Sequence, residues 1–401
     1  MNRRNFIKTS VCVSAILCLQ ACGGSGGGER VSPTNSYVQT NLVANSAKYK
    51  PLIVDPRMVN AWGIAIRPAG NGGHFWVTGS DASFEYVGDV GGKPLFTDDL
   101  KIIDLPHSGE NAGAANGVVF NGSNNFLIEQ EHPKGAITAP AKFIFVSDAG
   151  VLSAWTERKL ADGSFERPAT AKTLVDYGDK GSAFFGLAIN SKEDLLYVVD
   201  FGANPQPTLR LFDAQFKEQA LAGRFANPFV GKDGFKVGDL VPFNVQAIRN
   251  ANKTTIFVTY VNTQEDPKNQ GQLLPAEESA GRGRGRLVEY SESGQLIAVW
   301  DDRGVLNGPW AVVLAPADFG PFSNQLLVGN FSDGTIVGFD VTTRKATEYM
   351  RDSAGNVIKI QGLWNLLFGN GASLGDANAL YFAAGPADET DGLFGSLRFK
   401  K

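Results

Sequence analysis

Cysteine is scarce in this 401-residue chain: Cys12, Cys18 and Cys22 are the only three, all near the N-terminus. Three cysteines cannot build a disulfide scaffold, and the long remainder has no thiolate nucleophile or thiolate metal ligand. Histidine is as sparse. His74, His107 and His132 fall in turns or polar stretches that read as surface, and no two have metal-ligand spacing. A basic surplus is missing too, since 37 Lys+Arg stand against 41 Asp+Glu for a formal net charge of -4. That balance argues against a general nucleic-acid binder, which needs a basic face. Beyond the N-terminal segment no Gly-x-Ser-x-Gly elbow stands between a strand and a helix, so the usual mark of a serine hydrolase triad is absent. What is plentiful is apolar residues, 43% of the chain, enough for a large core and too many for an intrinsically disordered protein. Glycine is also frequent, 47 residues with no three-residue period, which excludes collagen and points to many tight turns.

The N-terminus reads as an address. Arg3 and Arg4 form a twin arginine followed by Asn5-Phe6-Ile7-Lys8, and the apolar run Val11–Leu19 is shorter than the roughly 20 residues that cross a bilayer. Leu19-Gln20-Ala21-Cys22 has the pattern of a lipobox, in which the cysteine is lipidated after cleavage, and Gly23–Gly28 follows as a tether. The expectation is a Tat-type lipoprotein signal over 1–22, a Gly/Ser-rich tether over 23–36 and the folded domain over 37–401; an ordinary Sec signal is the alternative for the arginines. Cleavage removes Arg3, Arg4 and Lys8, leaving 34 basic against 41 acidic residues, and makes Cys22 the sole cysteine. Glycine after Cys22, where an inner-membrane retention signal has Asp, suggests an outer-membrane lipoprotein, periplasmic or at the cell surface. The membrane is then reached through the lipid anchor.

Internal repeats decide the architecture. One pattern recurs six times, an aromatic residue or Asn, then a small residue or Asn, then an apolar run. The copies are Trp62-Gly63-Ile64-Ala65, Asn116-Gly117-Val118-Val119, Phe185-Gly186-Leu187-Ala188, Phe243-Asn244-Val245-Gln246, Trp310-Ala311-Val312-Val313 and Trp364-Asn365-Leu366-Leu367. After each comes a second β-branched and aromatic run, such as Phe143-Ile144-Phe145-Val146 or Leu196-Tyr197-Val198-Val199, and then a third, such as Leu287-Val288-Glu289-Tyr290. Fourth strands are predicted at Lys101–Leu105, Lys172–Asp176, Leu296–Trp300 and Thr347–Met350. Six units of about four strands predict an all-β, six-bladed β-propeller. The last unit stops after its third strand, and Tyr37–Val43 stands unassigned before the first. That N-terminal strand is therefore predicted to close the last blade, which removes an exposed edge.

Several of these stretches also resemble a known family. Asn41-Leu42-Val43, Asp55-Pro56 with Val59–Gly63, Ala141–Phe145, Pro242–Gln246, Leu327–Phe331 with Asp333-Gly334, and Gly385 with Asp391–Gly395 are similar to the signatures of a family of exported bacterial proteins, several of which carry a PEP-CTERM sorting tail. The resemblance spans nearly the whole domain and implies an exported propeller; it implies no reaction. The lipobox in place of a C-terminal tail implies anchoring by another route.

Propellers bind ligands at a mouth of the central channel, so the inner-strand column supplies the candidates. Small residues there fit the crowding of six strands at the axis. Asn116, Asn244 and Asn365 are the exceptions, and their amide oxygens could ring a hard cation such as Ca2+, with Asp200 and Asp148 at the ends of second strands adding charge. Asp388-Glu389-Thr390-Asp391-Gly392 reads as a hairpin turn, lacking the twelve-residue ligand order of a calcium hand. Residues 264–281 form a long polar insertion, followed by Gly281-Arg282-Gly283-Arg284-Gly285-Arg286 as the solvated entry to a strand. His107-Ser108-Gly109-Glu110-Asn111, leading toward Asn116, is a second long polar loop, expected to face the channel mouth.

The leading expectation is a monomeric, lipid-anchored binding platform for an envelope protein or glycan, with no nucleic acid, no certain cofactor and no complete catalytic constellation. The alternative is a metal-dependent hydrolase or lactonase with a Ca2+-like cation in the channel, which requires at least three oxygen ligands converging on one point. A quinone-dependent redox enzyme is a third reading, suggested only by Tat export.

Overall fold

The computed structural model describes residues 35–400 apart from 252, 269–270, 277–280 and 282. Arg3, Arg4, Cys22 and the tether up to residue 34 lie outside the described residues, as do parts of the 264–281 insertion and Arg282. The described chain is a six-bladed β-propeller, all-β with three short 3-10 turns.

Each blade is an antiparallel sheet whose strands run from the axis outward in sequence order. Blade 1 is Ile64–Ala65, Phe75–Gly79, Ala82–Tyr86 and Ile102–Asp104; blade 2 is Ala115–Phe120, Phe143–Ser147, Val151–Trp155 and Lys172–Asp176. Blade 3 is Phe184–Ile189, Leu195–Asp200, Thr208–Asp213 and Glu218–Gln219, and blade 4 is Leu240–Asn250, Lys253–Glu265, Arg286–Ser291 and Leu296–Val299. Blade 5 is Pro309–Leu314, Leu326–Asn330, Ile336–Asp340 and Lys345–Tyr349. Blade 6 takes Leu363–Phe368, Ala379–Ala384 and Leu393–Phe399 from the end of the chain and Tyr37–Ala44 from its beginning. Tyr37–Ala44 pairs antiparallel with Leu393–Phe399, Val38 opposite Arg398 and Ala44 opposite Leu393, and so closes the ring as the repeat predicts. Ile53–Val54 adds a short parallel fifth strand.

The burial pattern explains why these runs are strands of a propeller. Second and third strands lie between neighbouring blades, so both faces are covered and they read as continuous apolar runs; Phe143–Ser147, Leu326–Asn330 and Ala379–Ala384 are buried throughout. Outer strands face water on one side, and Lys345–Tyr349 is mostly exposed. The core is correspondingly a set of seams between blades, such as Trp76, Phe143, Phe145 and Trp155 between blades 1 and 2. Near the axis the backbones crowd: a Cβ on Gly63 would run into the Asn116 carbonyl, and one on Gly186 into Asn244.

Two hairpins in blade 2, Leu127–Gln130 with Ile137–Pro140 and Arg158–Lys159 with Phe165–Glu166, were not expected, nor was the two-residue outer strand Glu218–Gln219. Within the 264–281 insertion, Leu273–Pro275 pairs with the far end of Lys253–Glu265.

Candidate functional site

The six residues that open the repeat converge at the axis. Five are aromatic and form a plug: Trp62 stacks on Trp364 with centroids 3.7 Å apart, Trp310 meets Trp364 edge-on at 4.8 Å and Phe243 at 4.8 Å, and Phe185 lies 6.0 Å from Trp62. Aromatic rings suit this place because they fill a wide axial space with few side chains and favour stacked and edge-on pairs. The sixth position is Asn116, so the ring of aromatics is interrupted at blade 2.

The inner-strand amides act as staples between blades. Asn116 donates from Nδ2 to the Phe184 carbonyl of blade 3 at 2.8 Å, and Asn244 donates from Nδ2 to the Trp310 carbonyl of blade 5 at 2.9 Å. The oxygens of Asn244 and Asn365 accept the backbone N–H of the next residue, at 2.8 Å and 2.7 Å. Asn116 Oδ1 is buried without a partner. Asp200 is wholly buried and saturated: Oδ2 accepts from Ser182 Oγ at 2.8 Å and Arg210 Nε at 2.7 Å, and Oδ1 from the Ala183 N–H at 3.0 Å. Asp148 accepts the Ala114 N–H at 2.5 Å, and burial pushes its carboxyl above the usual range. Thus most polar atoms of the five candidates are committed to holding loops and blades together. Among the described residues no three His, Cys, Asp or Glu side chains converge on a point that could hold a metal.

Other residues singled out in the sequence are placed as follows. His74, expected at the surface, is buried just before the strand Phe75–Gly79, with its Nε2 at 2.8 Å from Asp98 Oδ1. Loop 107–111 turns outward, Ser108 donating to Asp176 of the blade 2 outer strand at 2.8 Å. Arg286 lies 3.5 Å from Asp302.

A cleft opens where the plug meets the surface, at the end of the ring from which the inner strands start. It has a volume of about 440 Å3 and is lined by Phe331, Ser332, Gln361, Gly362, Gly385, Asp388 and Glu389. Half-buried Phe331 stacks on Trp364 at 3.9 Å, so the cleft has an aromatic wall continuous with the plug. The segment Asp388–Gly392 forms this rim. Ala387, Asp388 and Glu389 all have positive φ, 56°, 52° and 63°, a left-handed turn that L-residues rarely sustain. It is held from beneath: Trp364 Nε1 donates to Asn60 Oδ1 at 2.8 Å, and Asn60 Nδ2 donates to Glu389 Oε2 at 2.6 Å. Across the mouth, half-buried Phe235 and Leu273, from the long loops of blade 4, pack on the same aromatic cluster. Sequence reading gave Phe331 and Asn60 no site role and took Asp388–Gly392 only as a hairpin turn, which it is; the one available signal for the site was that acidic turn following a second strand.

Fold and mouth define a six-bladed propeller with a plugged channel and a shallow aromatic-walled cleft above the plug. No family model matches the chain. Among curated proteins it is similar to two from Acanthamoeba polyphaga mimivirus. Uncharacterized protein R648 is 27% identical over 359 residues, covering 89% of this chain and 79% of the relative. Uncharacterized protein L690 is 27% identical over 345 residues, covering 86% and 81%. Among solved structures, the Fusarium graminearum α-L-arabinofuranosidase Arb93A is 11% identical with a TM-score of 0.48, over 90% of this chain and 98% of that one. The Dos1 propeller is 9% identical with a TM-score of 0.41, over 86% and 69%.

Proposed function

We propose that this protein is an exported, lipid-anchored propeller that binds glycan at the cell envelope through the cleft beside Phe331. The observation that supports this reading best is the make-up of the cleft. A phenyl face backed by two stacked indoles offers an apolar platform for the C–H face of a sugar ring. Beside it, Asp388 and Glu389 carboxylates and the Ser332 and Gln361 side chains supply acceptors and donors for hydroxyl groups. Gly362 and Gly385 let the cleft floor close tightly, since a Cβ on Gly362 would run into the Gly385 carbonyl and one on Gly385 into Asn60. Apolar walls with a few fixed polar groups are the general form of a small-ligand site.

The acidic rim favours neutral or amino sugars and repels acidic ones. Isothermal titration of the purified protein with neutral, amino and acidic oligosaccharides tests this; saturable binding of the first two, lost in Phe331→Ala, is the expected result. Binding of acidic glycans alone would refute it. The anchor rests on the lipobox and is tested separately: Cys22→Ser moves the protein from the membrane to the soluble fraction if Cys22 carries the lipid.

A further inference from the structure

Buried polar atoms without a partner are few in native proteins and call for an explanation where they cluster. Among the described residues, five such atoms belong to one face of blade 1: both carboxylate oxygens of Glu85, Nε1 of Trp76, the Ser83 hydroxyl and Nε of Arg67. Strand register brings them together. Glu85 stands opposite Trp76 on the adjacent strand, and Ser83 lies two residues along on the same face. Trp76 stacks on Phe143 of blade 2 at 4.0 Å, and the Arg67 guanidinium lies over the Phe120 and Phe143 rings. This face is therefore the seam between blades 1 and 2, and Glu85 and Ser83 are wholly buried in it.

A buried carboxylate stays ionised only with a counter-charge or several hydrogen-bond donors. The charged and titratable groups around this seam are Arg67, His74, Asp98 and Lys101 from blade 1 and Glu157 and Arg167 from blade 2. Arg67 and Arg167 both serve Glu157, at 2.6 Å and 2.9 Å, and His74 serves Asp98. Lys101 has an exposed side chain, and its carbonyl accepts the Glu85 N–H. The charge that acts on Glu85 is Asp98, which has the same sign.

We propose that Glu85 is a proton-dependent latch: blades 1 and 2 close on each other with its carboxyl neutral, and its ionisation loosens the seam. Burial pushes the carboxyl well above its usual 4.5, and the like charge of Asp98 adds to it. The folded form thus holds a proton that the unfolded form releases from about pH 4.5 upward. Stability falls as pH rises from there until the folded group itself ionises, by up to about tenfold in the folding equilibrium per pH unit. His74 works in the opposite direction, because burial lowers its pKa and favours the neutral ring, so stability rises with pH as the unfolded ring loses its proton. The wild-type slope alone is therefore not diagnostic, and the comparison must be between variants.

The test is urea unfolding of the full mature chain, wild type against Glu85→Gln and Glu85→Leu, from about pH 5 to about pH 9. Both variants are expected to unfold at higher urea than wild type at neutral pH, with the gap widening as pH rises. A wild-type-minus-variant infrared spectrum at neutral pH should contain the carbonyl band of a protonated carboxylic acid. Parallel pH profiles for wild type and variants, or an ionised carboxylate band at neutral pH, would overturn the proposal. The spectrum on wild type stands even if one variant fails to fold.

Discussion

At the residue scale, Asn60 carries more of the site than any sequence pattern indicates. It sits at a φ of 49° while accepting from Trp364 and donating to Glu389. Asn60→Ala keeps a Cβ in left-handed backbone but loses the short polar side chain that lets Asn adopt it, about 1–2 kcal/mol, and orphans a buried indole N–H, a further 1–3 kcal/mol or so. Asn60→Gly incurs only the second cost, since glycine adopts this backbone freely. Urea unfolding should therefore rank wild type above Gly and Gly above Ala, and equal losses for the two variants would contradict the strain argument. Asn244 tests the reading of the inner amides. As a staple to the Trp310 carbonyl, Asn244→Ala should lower the melting temperature by the same amount with and without chelator. A loss that chelator reproduces in wild type would restore a cation to the channel. Residues such as Glu85 and Ser83 were illegible for a physical reason. In an alternating strand a polar residue is read as facing water, but between two blades neither face does.

At the scale of elements, most strands were readable because each blade repeats one cycle of turn, apolar run and turn. The predicted outer strand Lys172–Asp176 matches its observed bounds, and Leu296–Val299 falls within a residue. The outer strand of blade 3 was missed because Glu218–Gln219 is two polar residues, too short for any periodicity. The blade 2 hairpins were missed because their strands are two to four residues long and half exposed. Closure of the ring by Tyr37–Ala44 was legible from a bookkeeping of strands at the two ends of the chain. Its strength has visible anchors: Tyr37 OH donates to the Phe319 carbonyl at 2.7 Å, Asp391 takes hydrogen bonds from Asn45 and Tyr49 and an ion pair from Lys48, and Leu42 is wholly buried. Leu42→Ala should cost about 2–4 kcal/mol by leaving a cavity at the point where the ring is sealed. Denaturant unfolding measures this, and a cost well under 1 kcal/mol would mean that the closing strand contributes little.

At the scale of the molecule, the propeller gathers five aromatic rings at its axis and uses them twice, as a plug that fixes the ring and as the wall of a cleft. The repeat made the blades legible and its first position recurs as an aromatic column, but that these rings meet and plug the channel was not read from the sequence. Nor was the cleft, because its polar rim comes from a left-handed turn whose conformation no local pattern encodes, and its wall from Phe331 in the preceding blade. The central claim is that this cleft binds sugar. Isothermal titration of neutral oligosaccharides into wild type and Phe331→Ala tests it most directly, with melting temperature as the folding control. The account predicts saturable binding to wild type and at least a tenfold loss, about 1.4 kcal/mol, in a variant that melts normally. Absence of binding to wild type, or equal binding by the two proteins, would contradict it.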